Sequence, residues 1–93
     1  MIIGTAKIYL RANWVHSLKE KRMIVKSIIA KLKNKFNLSI AEVENQDIHQ
    51  SIVIGIACIS NDTQHANSML QNAINFIEEN SEAFIEDVVI EIS

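Results

Sequence analysis

The run from Ser51 to Ser60, Ser-Ile-Val-Ile-Gly-Ile-Ala-Cys-Ile-Ser, limits the fold more than any other stretch of this chain. It has no polar residue between its two serines, so neither face of it tolerates water. A strand apolar on both faces belongs in the middle of a sheet, with neighbours on both sides and a covering layer above. Gly55 within it marks a close contact or a bulge. Cys58, the only cysteine, sits in the same run and reads as a small core residue, which excludes an intramolecular disulfide.

Other segments supply the neighbours and the cover. In residues 2–10, Ile2, Gly4, Ala6, Ile8 and Leu10 share one face, while Ile3, Thr5, Lys7 and Tyr9 share the other. That period of two predicts a strand. Ser17 with Glu20 forms a Ser-x-x-Glu capping box, in which Glu20 is expected to reach back to the Ser17 amide. Val25, Ile28, Ile29, Leu32 and Phe36 follow at helical spacing. Leu38–Glu44 predicts an edge strand, and Asn45-Gln46-Asp47 supplies turn residues. Asn61 or Asp62 caps a second helix whose buried stripe is Ala66, Met69, Leu70, Ala73, Ile74 and Ile77. Val88, Ile90 and Ile92 alternate with Asp87, Val89 and Glu91 in a last strand.

The order β-α-β-β-α-β is that of a ferredoxin-like α+β sandwich, occupying residues 1–93 as a single domain. The expected antiparallel sheet order is four-one-three-two, with both helices on one face. The other face, with Ile3, Thr5 and Tyr9, is too apolar to be left wet, so a homodimer or other homo-oligomer is expected. Ninety-three residues with 48% hydrophobic composition support a modest core. No apolar run is long enough to cross a bilayer, and no signal peptide is evident. The expectation is a cytoplasmic protein without membrane contact.

Net charge is −2, but its distribution is uneven. All nine Lys and Arg lie between Lys7 and Lys35, with Glu20 the one acid before Glu42, so residues 1–40 carry +8. The ten remaining acids give residues 41–93 a charge of −10. Lys19, Arg22, Lys26 and Lys33 fall on one flank of the first helix, a stripe suited to a nucleic-acid backbone. With Lys21 they form the expected anion- or RNA-binding set, beside a helix N-terminus that favours anions. A solvated lysine face is the plainer alternative. Trp14 in the preceding loop either stacks on a base or seals the core, and a lone tryptophan in a small domain more often packs.

The expected topology places His16 at the same end as Gln46, Asp47 and His49, making these four a candidate polar site. Imidazole and carboxylate suit zinc, but the spacing is unspecific. An Asp can orient a His for acid-base work, yet no serine, cysteine or threonine nucleophile stands with them, since Ser17 serves as a cap. The loop Ala12-Asn13-Trp14-Val15-His16 has no glycine, unlike the phosphate loop of acylphosphatases. The reading is therefore non-enzymatic, with no catalytic residue, metal or cofactor assigned.

Three stretches carry a family resemblance. His16-Ser17-Leu18-Lys19-Glu20-Lys21-Arg22 is the first. Ala41-Glu42-Val43 with Gln46-Asp47 and Gln50 is the second, and Ser60-Asn61-Asp62 with His65 the third. Together they resemble the YlxP-like family of small bacterial proteins of unknown function, over essentially the whole chain. His49 stands where many members have tryptophan. The resemblance implies a ferredoxin-like fold and brings no activity or cofactor. Members are often encoded beside translation initiation and ribosome-maturation factors, which implies a role near the ribosome or RNA. The expected function is a module binding RNA or a ribosomal component through its basic first helix. The alternative is a homo-oligomeric interaction module using the open sheet face, and an enzyme or metal site at His16, Asp47 and His49 comes last.

Overall fold

A computed structural model describes residues 1–93. The elements are β1 (Ile2–Arg11), α1 (Leu18–Lys35), β2 (Ser39–Glu44), β3 (Ser51–Ser60), α2 (Thr63–Asn80) and β4 (Phe84–Ile92). They form a four-stranded antiparallel sheet in the order β2-β3-β1-β4, which is the expected order read from the other edge. The doubly apolar β3 is central, as its composition requires, and pairs with β1 from Ile2↔Ser60 to Arg11↔Ser51. No helix is long and apolar enough to cross a membrane.

Both helices cover one face of the sheet. Between them and the sheet lies a core of 18 buried apolar residues, built on Ala6, Ile8 and Leu10 of β1 and Ile52, Ile54, Ile56 and Cys58 of β3. α1 contributes Val25, Ile28 and Leu32, and α2 contributes Ala66, Leu70, Ala73, Ile74 and Ile77. Val53 is also fully buried but faces the other way, opposite Tyr9 and Glu44 on the open face.

Two bulges explain where strand periodicity misleads. Between Glu42 and Glu44 the register of β2 shifts, leaving Val43 as the extra residue. A Cβ on Gly55 would lie 2.8 Å from Val43 Cγ1, so Gly55 is bare because Val43 crosses over it. In β4 the register shifts around Glu86, between Ile85↔Leu10 and Asp87↔Tyr9. The alternation breaks there, so periodicity finds only residues 87–92, whereas β4 begins at Phe84.

The caps follow local chemistry. Ser17 Oγ accepts from the Glu20 amide at 3.1 Å, as expected. The return bond differs: Glu20 Oε1 accepts from the His16 amide at 2.9 Å, one residue further back than a strict capping box. Asp62 caps α2, its Oδ1 accepting from the Gln64 amide at 3.1 Å. α1 ends with Phe36 as its C-cap, whose amide donates to the Leu32 carbonyl.

Candidate functional site

Three connections meet at one end of the sheet. β1 and β2 both run antiparallel to β3, so the β1–α1 loop and the β2–β3 turn share an end, as the topology predicts. β4 starts opposite Arg11, which brings the α2–β4 loop, Ser81 to Ala83, to the same end. That third connection goes beyond the neighbours assigned from the sequence.

Two long side chains lock this end together. Gln50 Nε2 donates to the carbonyls of Asn13 at 3.1 Å and Val15 at 3.3 Å, while the Gln50 carbonyl accepts from the Ala12 amide at 2.9 Å. This one residue ties the β1–α1 loop to the start of β3. Lys21 does the equivalent for the helix. Its ammonium donates to the Asn45 carbonyl and lies 3.0 Å from Glu42 Oε2. That carboxylate contact is an ion pair without good hydrogen-bond alignment, since Glu42 Oε2 makes no hydrogen bond. Asn45, at φ 58°, takes the left-handed conformation that Asn tolerates better than most residues, and its carbonyl also accepts from the Ile48 amide at 3.0 Å.

Lys21 is therefore corrected out of the anion-binding set. It has no exposed surface, and its charge is spent on Glu42 and Asn45. Buried cations require such partners, and no external phosphate can reach this one.

The other four cations of the set are exposed and make neither hydrogen bonds nor ion pairs, nor contacts with an aromatic ring, whereas Lys31 donates to the Asn80 carbonyl at 3.2 Å and Lys35 sits 4.8 Å from the Phe76 ring centroid. Elsewhere Lys7 pairs with Glu44 and Arg11 with Glu86. The hydrogen bond that the Lys7 ammonium donates to Glu44, and the charge of that carboxylate, raise the Lys7 pKa above 10.5. Lys19, Arg22 and Lys26 line one groove of about 500 Å³, with Val25 and Ile29 at its floor and Glu42 of β2 at its edge. Lys33 lines a separate shallow depression with Ala30, Lys31 and Asn34. Lys19, Arg22 and Lys26 thus face the β2 side of the molecule.

His16, Gln46, Asp47 and His49 are all exposed at the shared end, but no hydrogen bond or ion pair joins their side chains. No group of three or more His, Cys, Asp or Glu is placed to hold a metal ion. Trp14 does not seal the core. It is 40% exposed, whereas Ala12 and Val15 of the same loop are fully buried and belong to the core. At the opposite end, Ser60 Oγ accepts from the Asp62 amide at 3.1 Å, so the Ser60-Asn61-Asp62 stretch shapes the start of α2, with His65 exposed beside it.

Six residues of the recognised stretches therefore hold structure: Ser17, Glu20, Lys21, Glu42, Gln50 and Asp62. Sequence reasoning missed Glu42 and Gln50 as fasteners, because their partners are remote in the chain.

A family described as protein of unknown function (DUF503) matches residues 3–90. The uncharacterised protein YlxP of Bacillus subtilis (strain 168) is 42% identical over 62 residues, which is 67% of this chain and 67% of that protein.

Proposed function

Because the chain belongs to the DUF503 family of proteins of unknown function, we propose its role from its surface: it binds RNA through the β2-side flank of α1. The observation that carries this reading is the shared groove of Lys19, Arg22 and Lys26, three unpaired cations on a chain of net charge −2. Their steps of three and four residues place them about 4.5 and 6 Å apart along the helix axis, a spacing that suits successive phosphates. Val25 and Ile29 supply an apolar floor for sugar and base edges. A ribosomal RNA segment in the cytoplasm is the natural partner for such a surface, and the reading needs no catalytic group or cofactor.

The test is fluorescence anisotropy of labelled RNA across a salt series. Three single-strand phosphate contacts give a slope of log K on log salt of about −2, or a loss of about 15-fold between 50 and 200 mM salt. Reversing Lys19, Arg22 and Lys26 to Glu is expected to lower affinity at least a hundredfold at low salt while leaving the fold intact, since all three are exposed. Salt-independent binding, or unaltered binding by the triple variant, refutes the proposal.

A second reading rests on the open sheet face. Tyr9, Val43 and Val89 border a groove of about 550 Å³ floored by Ala41, Gly55 and Ala57, with Ile3 and Ile59 exposed nearby. At strand spacing and rise, the face measures roughly 600 Å², and two copies would bury roughly 1,200 Å², the lower end for a stable dimer. A second copy is the proposed occupant. Sedimentation equilibrium is expected to show a dimer that Ile59→Asp dissociates; a monomer at millimolar concentration contradicts it.

A further inference from the structure

α2 stops short of the end of α1. Ser81, just past α2, lines the same small gap as Ile28 in the middle of α1, so the N-terminal half of α1 overhangs the end of α2. A hollow of about 220 Å³ occupies the overhang. Trp14 covers it from the β1–α1 loop, Met23, Ile24 and Ser27 form the α1 wall, and Ser81 and Glu82 form the far wall. Trp14 is 40% and Met23 66% exposed, and the Glu82 carboxylate is exposed without a partner.

We propose that this hollow receives a guanine base of single-stranded RNA, stacked on Trp14 with its Watson–Crick edge toward Glu82. The inference rests on the RNA reading above and names the ligand more closely. Four observations converge on it. The volume lies below the roughly 300–1,000 Å³ of a pocket for a drug-sized molecule, and suits one flat heterocycle. An exposed indole offers the stacking surface that single-strand binders use. The free carboxylate is an acceptor without a donor, and guanine alone among the four bases presents two adjacent N–H donors, N1 and N2, in the fork that a carboxylate accepts.

The fourth observation is the direction of charge. Met23 stands four residues after Lys19 and three before Lys26, so it neighbours both on the helix surface. Ser27 and Lys26 are about 100° apart around α1, an arc of roughly 9 Å at the side-chain radius. Long, flexible lysine side chains span that arc. A nucleotide whose base lies against Trp14 thus has its phosphate on the basic flank and its donors at the acidic wall. The same polarity opposes a ligand that is anionic throughout.

Trp14 is the only tryptophan, so its emission reports on the hollow alone. Titration of the full chain with GMP, AMP, CMP and UMP, and with five-nucleotide RNAs differing at one central base, is expected to quench Trp14 with about tenfold preference for guanine. Glu82→Gln keeps an exposed side chain of the same shape, and is expected to abolish the preference while retaining salt-dependent RNA binding by anisotropy. Equal quenching by all four bases, an unchanged preference in Glu82→Gln, or a silent Trp14 while anisotropy shows RNA bound overturns the base site and leaves the basic-groove reading standing. Quenching by GMP with no binding of any RNA supports the hollow and overturns the RNA reading instead.

Discussion

Lys21→Ala is expected to lower stability by about 3 kcal/mol, a fall in melting temperature of roughly 15 °C for a domain of this size. The substitution removes the one buried cation of the chain. It leaves the Glu42 carboxylate, only 16% exposed, without its counter-charge, and the Asn45 carbonyl without its ammonium donor. Breaking a buried pair from one side costs roughly 3–5 kcal/mol, and the partial exposure of Glu42 puts the value at the low end. The companion variant Lys21→Met/Glu42→Leu keeps the volume and removes both charges. It is expected to recover most of the loss, because Asn45 still accepts from the Ile48 amide. Urea unfolding of the three proteins measures both effects. A Lys21→Ala protein of native stability with weakened RNA binding would instead return Lys21 to the phosphate-contacting set.

The second large effect lies where α2 rests on β1. A Cβ on Gly4 would stand 3.1 Å from Leu70 Cδ1, 3.2 Å from Cys58 Sγ and 3.4 Å from Ala66 Cβ. The bare backbone of Gly4 therefore sets how closely the helix approaches the sheet. Leu70 is fully buried, and Leu70→Ala is expected to cost about 3–4 kcal/mol through lost transfer energy and the cavity left behind. Gly4→Ala alone crowds the same spot and is expected to cost about 1 kcal/mol. The two are not expected to add. With Leu70 truncated, the new methyl enters vacated space at a position whose φ is negative, and the double variant should be about 1 kcal/mol more stable than the sum. Additive losses in a denaturation cycle would show that Gly4 is bare for another reason.

Much of the fold was legible because its signals are local. A period of two in residues 2–10, the cap at Ser17, the stripes of both helices and the doubly apolar β3 each depend on residues within a few positions. Together with the right-handed crossover they leave one common topology. Even the start of β4 was lost for a local reason, since the bulge at Glu86 interrupts the alternation that would have revealed it.

The candidate site was legible only in outline. Lys19, Lys21, Arg22, Lys26 and Lys33 look alike in the sequence, and nothing within helical reach separates them. Their fates diverge because Glu42 and Asn45, more than twenty residues away, sit under one of them and not the others. Trp14 became a surface residue because α2 ends level with the middle of α1, which depends on how two helices far apart in sequence pack. Glu82 joined that hollow only because β4 starts at the end where β1 stops. The sequence by itself determined the elements, their order and the segregation of charge along the chain, since period, capping and composition are properties of neighbours. Only the tertiary structure decided which charges are free, because the cost of burying a charge is set by whatever the fold brings beside it.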